Sequence, residues 1–381
     1  MSQPLTIFSD DEQMFRDAVA GFANEEVRPR VQQMEREGKF DPALITKFFD
    51  MGLMGIEVAE EYGGAGGSCT MIAIGVEELS KVDAAAAILM DVQNTLALYP
   101  IRTYGSDYIK KTYLPQLTGE KVGAYALSEA SSGSDAFGLQ TRAEKKGDKW
   151  ILNGRKLWIT NGAEAQIYVL FANANPSAGY KGITAFLIER GFKGFSVGKK
   201  EDKMGIRASS TTELILDDVE VPLENVIGEV GQGYKVAIET LNEGRIGIGA
   251  QMIGVAGGAL AAATEYVKER TQFGKKLGDF QGIQFQLAQA RTELEAARLM
   301  VYNAARLKDM GRDIALEGAM AKLFSSQVAE RVTSVSLELF GGYGYTKDYP
   351  AEKFYRDAKI GAIYEGTSNM QLNTIAKAML K

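Results

Sequence analysis

Glu338-Leu-Phe-Gly-Gly-Tyr-Gly-Tyr-Thr-Lys-Asp348 decides the fold class, because its glycines follow a long helical pattern rather than a strand. A dinucleotide-binding glycine loop follows a strand and opens a helix. Here the apolar periodicity of residues 315 to 340 runs straight into Gly341-Gly342, which argues against that fold. A plain helix stop competes with a ligand-holding turn. Gly231-Gln-Gly233 lacks the third glycine and fails the same test.

Working outward from this turn, helical spacing also covers 233 to 270 and 282 to 310. Stripes such as Leu294, Ala297, Leu299 and Val301 to Ala305 predict a helical bundle. Between Val122 and Ile227 the signals are strands, at Ile167 to Ala172, Ile183 to Glu189 and Glu213 to Val219, with Pro222 closing the block. Lys149 to Leu152 and Leu157 to Thr160 flank Asn153-Gly154, a strong hairpin-turn signal. Residues 9 to about 120 return to helical periodicity. Ser9 is placed to cap the first helix, Glu61 to Gly67 reads as loop, and the alanine-rich run Ala84 to Met90 suits a buried helix. The expected architecture is α+β in three domains: N-terminal α-helical over 1–120, a middle β-barrel or sandwich over 121–230, and a C-terminal four-helix bundle over 231–381.

Composition narrows the chemistry. The 381 residues include no histidine, which excludes histidine-led acid–base work and His-ligated zinc, so a carboxylate, lysine, tyrosine or cofactor must act. Lys plus Arg number 43 against 49 Asp plus Glu, a formal charge of −6 spread along the chain, and no nucleic-acid footprint results. Cys69 is the only cysteine, so no internal disulfide and no thiolate metal site is expected. Met1 to Asp11 turns acidic at once and has neither a signal-peptide core nor a transit-peptide character. Ile246 to Ala263 is Gly/Ala-rich and flanked by charges, so a buried helix rather than membrane insertion is expected.

Three segments carry candidate chemistry. Glu365 lies in Ile363-Tyr-Glu-Gly-Thr-Ser-Asn369, where an apolar stretch breaks into a small polar turn. Tyr125 to Asp135 packs small and hydroxylated residues, and it reads equally as a polar loop or as a cradle for a polar ring. Trp158-Ile-Thr160 puts a flat ring beside a hydroxyl, and composition leaves a core tryptophan and a cofactor wall both open.

Taken together these segments resemble the acyl-CoA dehydrogenases. Ala126-Leu-Ser-Glu-Ala-Ser-Ser-Gly-Ser-Asp-Ala-Phe-Gly138 is similar to one signature of that family, and Glu338 to Asp357 to a second. Gly52-Leu-Met-Gly55, Glu61-Tyr-Gly-Gly64 and Arg270-Thr-Gln-Phe-Gly274 extend the resemblance over nearly the whole chain. Ala208-Ser-Ser-Thr211, Leu241 to Ile248, Tyr345 to Pro350 and Gln371 to Lys377 resemble the short/branched-chain branch, with butyryl- and isobutyryl-CoA dehydrogenases as near neighbours. Ser131-Ser132 and Tyr343 are bulkier than the family's usual residues there.

The resemblance implies FAD and acyl-CoA as ligands, an electron-transferring flavoprotein as partner, and a homotetramer. It implies that Tyr125, Leu127, Ser128, Ser134, Trp158, Ile159 and Thr160 cradle the flavin. Arg270, Gln281, Glu338, Gly341 and Gly342 would hold the rest of FAD, partly across a subunit interface, with Thr367 and Asn369. Ser134, Tyr180, Tyr234, Asn242, Arg245 and Tyr364 would contact acyl-CoA. Glu365 would be the catalytic base. Some relatives place their base immediately before the arginine matched by Arg245, a position that is Gly244 here. Glu243 is one step, about 100°, away from it on a helix. The expected setting is a bacterial cytoplasm, or a mitochondrial matrix for a processed form. An oxygen-using oxidase of the same fold and a non-catalytic helical assembly protein are the competing readings.

Overall fold

The computed structural model describes residues 4–380. Seven helices open the chain: α1 Asp10–Phe22, α2 Val31–Glu37, α3 Pro42–Asp50, α4 Cys69–Ser80, α5 Ala84–Asp91, α6 Tyr99–Tyr104 and α7 Asp107–Gly119. Ser9 caps α1 in a reciprocal box with Glu12, each side chain bonding the other residue's backbone N–H. An N-cap of this kind contributes about 1 kcal/mol. Helices α4 and α5 are buried on nearly every face, which is why their sequences are apolar all round. Cys69 is buried at the start of α4. Between α5 and α6 the chain widens into a π-helical stretch, Val92–Leu98. Such widened turns recur at functional sites.

Eight strands follow: β1 Gly123–Ala126, β2 Arg142–Lys146, β3 Lys149–Thr160, β4 Ile167–Asn173, β5 Ile183–Glu189, β6 Phe195–Lys200, β7 Thr211–Pro222 and β8 Val226–Ile227. They form one sheet in the order β6-β7-β3-β2-β4-β5-β8, with β1 pairing parallel to β4. The fully buried β4 reads as a continuous apolar run, as a strand covered on both faces must.

The hairpin expectation is corrected here. Asn153-Gly154 is no turn but lies inside the single strand β3, at a register shift against β7. Asn153 spends both ends of its amide on Asp218, accepting from its N–H at 2.8 Å and donating to its Oδ1 at 2.8 Å. The turn is two residues long and earlier, at Gly147-Asp148, where Lys146 pairs with Lys149 and Gly147 takes φ +65°.

The last third is helical: α8 Gly233–Glu269, a small hairpin of β9 Thr271–Gln272 and β10 Lys275–Lys276, then α9 Gln281–Asp309, α10 Ala315–Phe340, α11 Ala351–Ala358 and α12 Ser368–Met379. Helix α8 is long and apolar enough to cross a membrane, yet most of that apolar window is buried inside the protein. Leu294, Ala297 and Val301 pack inward as their spacing predicted. Leu299 does not; it is 45 % exposed, because it falls off the i, i+3, i+4 stripe.

Candidate active site

Glu365 sits in the turn that leads into α12, which Thr367 caps by accepting from Met370 N–H. Its φ is +50°, left-handed backbone that a glutamate adopts only when the surroundings hold it there. The residue is half-buried, but its Oε2 is fully buried and has no hydrogen-bond partner. Space for that oxygen comes from Gly244 on α8, where any Cβ would overlap Glu365 Oε2. Leu96, brought over by the π-helical stretch, reaches to 3.0 Å from the same point. Burial pushes the carboxyl up to about 7, against the opposite pull of the Lys322 and Arg245 cations.

The rival position has a different setting. Glu243 is buried, held 3.0 Å from Arg102 Nη2 and 2.9 Å from Lys308 Nζ. The carboxylate of Glu243 is committed to those two cations, while the glycine beside it faces Glu365.

Around Glu365 the structure gathers several expected residues. Arg245 donates from Nη1 to Asn242 Oδ1 at 2.8 Å, and its Nε is buried without a partner. Tyr364 donates its hydroxyl to Gln251 Oε1. The Tyr125 hydroxyl is buried and unpaired, and burial, then the Glu365 charge, pushes it well up. Buried polar atoms without partners each call for an explanation, and a bound ligand is one that the neighbourhood of Glu365 would accommodate.

On the sheet side, Trp158 is 59 % exposed at φ +64°, on a bulge where the β3–β7 register slips between Lys156 and Ile159. A bulge re-aims a side chain, and here it turns a tryptophan outward, so the core reading of Trp158 is wrong. Ile159 is buried and Thr160 half-buried beside it. Leu127 is buried, Ser128 half-buried and accepting through its carbonyl from Leu157 N–H at 2.9 Å, and Ser134 exposed. Tyr180 and Tyr234 meet edge to face with ring centroids 5.0 Å apart.

A third group lies on the helical bundle. Gln281, Glu338, Gly341, Gly342 and Asn369 are exposed, and the Arg270 guanidinium stands 5.3 Å from the centre of the Tyr343 ring. Among the described residues, no hydrogen bond joins their side chains to the Tyr125–Thr160 region within one chain.

Three residues escaped the sequence reading. Lys156 is fully buried and donates to Leu127 O at 3.0 Å and Glu129 Oε1 at 2.7 Å, while Glu129 accepts from the N–H groups of Gln140 and Thr141. This pair fixes the loop after β1. Asp91 is buried with Oδ2 unpaired, and burial, then the charge of Glu365, pushes it well up. Lys322 is buried on α10 and donates to Gly366 O at 2.6 Å. One signal was available: Lys322 shares the stripe of Ala319, Ser326 and Ala329, an otherwise small and apolar face.

Comparison with known proteins fits this arrangement. Family models described as Acyl-CoA dehydrogenase, N-terminal domain, middle domain and C-terminal domain match residues 9–121, 124–219 and 231–380. The short/branched chain specific acyl-CoA dehydrogenase, mitochondrial, of Rattus norvegicus is 52 % identical over 374 residues, 98 % of this chain and 87 % of the relative. Butyryl-CoA dehydrogenase from Megasphaera elsdenii has a similar solved structure, with TM-score 0.98 at 44 % identity over 100 % of both chains. A chain solved in work on the electron transferring flavoprotein of Acidaminococcus fermentans and flavin-based electron bifurcation has TM-score 0.98 at 47 % identity, covering 99 % of each.

Proposed function

Because the chain belongs to the acyl-CoA dehydrogenase family, we propose that it oxidises short straight- or branched-chain acyl-CoA thioesters to trans-2-enoyl-CoA, with Glu365 as the base. The observation that carries the reading is the bare Oε2 of Glu365, buried and aimed at the side-chain-free surface of Gly244.

An α-C–H beside a thioester is a very weak acid, so the base must be held against it and the carbonyl polarised. Glu365 takes the α-proton, and a carboxyl raised to about 7 is matched to that task near neutral pH. Its own backbone N–H would donate to the thioester oxygen. Tyr364 walls the acyl end. Arg245 with Asn242, and Tyr234 with Tyr180, offer the cation and the flat polar faces that a CoA chain needs.

FAD fits the residues present: Trp158 is turned outward by a bulge, the Tyr125 hydroxyl is buried without a partner, and Leu127 and Ser128 sit on a loop braced by Lys156 and Glu129. When bound, FAD supplies the acceptor for the hydride that leaves Cβ. Trp158, Ile159 and Thr160, with Tyr125 to Ser134, would hold its ring; Arg270, Gln281, Glu338, Gly341, Gly342, Thr367 and Asn369 would hold the remainder, in part from a second subunit. Electrons then pass to an electron-transferring flavoprotein. Exposed apolar side chains of the C-terminal third, Phe273 in the β9–β10 turn at 93 %, Phe285 on α9 at 63 % and Leu372 on α12 at 52 %, support assembly into a homotetramer. A bacterial cytoplasm is the proposed setting, and the mitochondrial matrix the other, since the rat relative is mitochondrial by name.

The test is anaerobic bleaching of the purified yellow protein by a panel of straight and branched acyl-CoA thioesters. Bleaching by short acyl chains, and its loss in Glu365→Gln with flavin retained, is the expected result. A protein that stays yellow with every thioester defeats the reading; rapid reoxidation by air would move it to an oxidase.

A further inference from the structure

The Lys322 ammonium needs an explanation that packing does not give. It is fully buried; among the described residues its one acceptor is the carbonyl of Gly366, and no carboxylate lies within 4.0 Å of it. A buried lysine without an ion-pair partner is costly, and such groups persist where something else is gained. Gly366 follows Glu365 directly. Its carbonyl also accepts from Gln371 Nε2 at 2.8 Å, so Lys322 and Gln371 together clamp the strained turn that carries the base.

We propose that Lys322 is a positioning residue for Glu365, fixing its turn through Gly366 and supplying the positive field that lets the buried carboxylate ionise at neutral pH. This rests on the reading of Glu365 as the base. The other groups facing Glu365 are Arg245 from α8, Asp91 from α5, Tyr125 from β1 and Tyr364 in its own turn. Asp91 is pushed well up by burial and by Glu365, which makes it a poor source of competing negative charge. Lys322 stands ahead of Arg245 among the influences that hold Glu365 down, and burial draws Lys322 itself down to about 8 against the pull of Glu365. Each charge favours the ionised form of the other.

The sign of the effect follows. Removing the cation leaves desolvation less opposed, so Glu365 binds its proton more tightly and the acid limb of flavin bleaching moves to higher pH. A nearby opposite charge shifts a carboxyl by about one pH unit or more. In the FAD-loaded protein, Lys322→Met is therefore expected to slow bleaching about tenfold below pH 7 and to converge with wild type by about pH 9. Lys322→Gln keeps a donor for Gly366 O and loses the charge; it should move the limb as Lys322→Met does, while Lys322→Arg should leave it near the wild-type position. The second readout is independent of turnover: infrared titration of the Glu365 carboxyl, taken as the difference between each protein and its Glu365→Gln counterpart, should show the same upward move.

An unmoved limb and an unmoved carboxyl titration in folded Lys322→Gln overturn the proposal, and so does a limb that moves in Lys322→Met alone. If Lys322→Met does not fold, Lys322→Gln decides. If no thioester bleaches the wild-type flavin, the reading of Glu365 as base fails, while the infrared titration still decides whether Lys322 governs its ionisation.

Discussion

Two lysines of the helical bundle, Lys322 fully buried and Lys353 with its side chain 12 % exposed, show opposite uses of the same side chain. Lys353 on α11 stands 2.6 Å from Asp83 Oδ1 and 2.5 Å from Asp357 Oδ2, and those carboxylates are themselves engaged, Asp83 as the cap of α5 and Asp357 by the N–H of Ile206. Burial would lower its ammonium, yet the two anions hold it above its ordinary value. Lys322 on α10 has only a carbonyl, and burial wins. Saturated bonding around Lys353 ties three segments together. Unsaturated bonding around Lys322 and Glu365 leaves charge and a bare oxygen facing the site. The groups around Lys353 are satisfied, whereas Glu365 beside Lys322 keeps a buried oxygen without a hydrogen bond.

The largest test of that contrast removes the unsaturated carboxylate itself. Glu365→Gln is expected to lower the rate of flavin bleaching by several orders of magnitude with flavin content and fold unchanged. Near-normal bleaching would mean that the bare oxygen is not the base. Next comes stability, where the two lysines should part company. Lys353→Met strands two buried carboxylates and is expected to cost about 3–5 kcal/mol in urea unfolding. Lys322→Met deletes an unpaired buried cation and should cost far less. Equal losses would erase the distinction.

Gly244→Ala probes the space that the carboxylate occupies. Its new Cβ would overlap Glu365 Oε2, so either the turn or the carboxylate must shift. A displacement of this size is expected to slow bleaching about 10- to 100-fold while flavin stays bound. Wild-type speed would show that the oxygen has another place to go. In the wild type, Glu365 as the proposed base would work only when ionised, and its carboxyl is raised to about 7. Bleaching should therefore rise with pH through a midpoint near 7 and flatten above it. A midpoint in the ordinary carboxylate range would show that burial does not govern Glu365.

Much of this arrangement was legible in the sequence, for reasons that differ by element. The long helices α8, α9 and α10 announced themselves because a 3.6-residue period repeated over many turns is hard to mimic. Strands β4 and β5 were visible as short apolar runs. The Asn153-Gly154 error arose because a hairpin turn and a bulge place the same demands on backbone, and only the partner Asp218, 65 residues away, distinguishes them. Glu365 stood out through its neighbours in sequence. Lys322, Asp91 and Lys156 were not, because their partners Gly366, Glu365 and Glu129 come from other elements. The exposed set of Gln281, Glu338 and Gly341 has no side-chain hydrogen bond to the Tyr125–Thr160 region among the described residues of one chain, the separation that the proposed sharing of a site between subunits requires.

The smallest expected effect sets the baseline for the others. Lys149 and Glu220 approach to 2.7 Å across β3 and β7, as close as Lys353 to its carboxylates, but both side chains stand in solvent, 39 % and 47 % exposed. Water and salt screen such a pair, and holding two long side chains in one geometry costs entropy that offsets the attraction. Distance alone would rank this bridge with the buried one. Exposure ranks it near zero, so Lys149→Ala should leave the melting temperature and its salt dependence unchanged within error, whereas Lys353→Met should not. A large drop for Lys149→Ala would mean that proximity rather than burial decides what an ion pair is worth in this fold, and the assignment of scaffold and site from their pairing would then lose its basis.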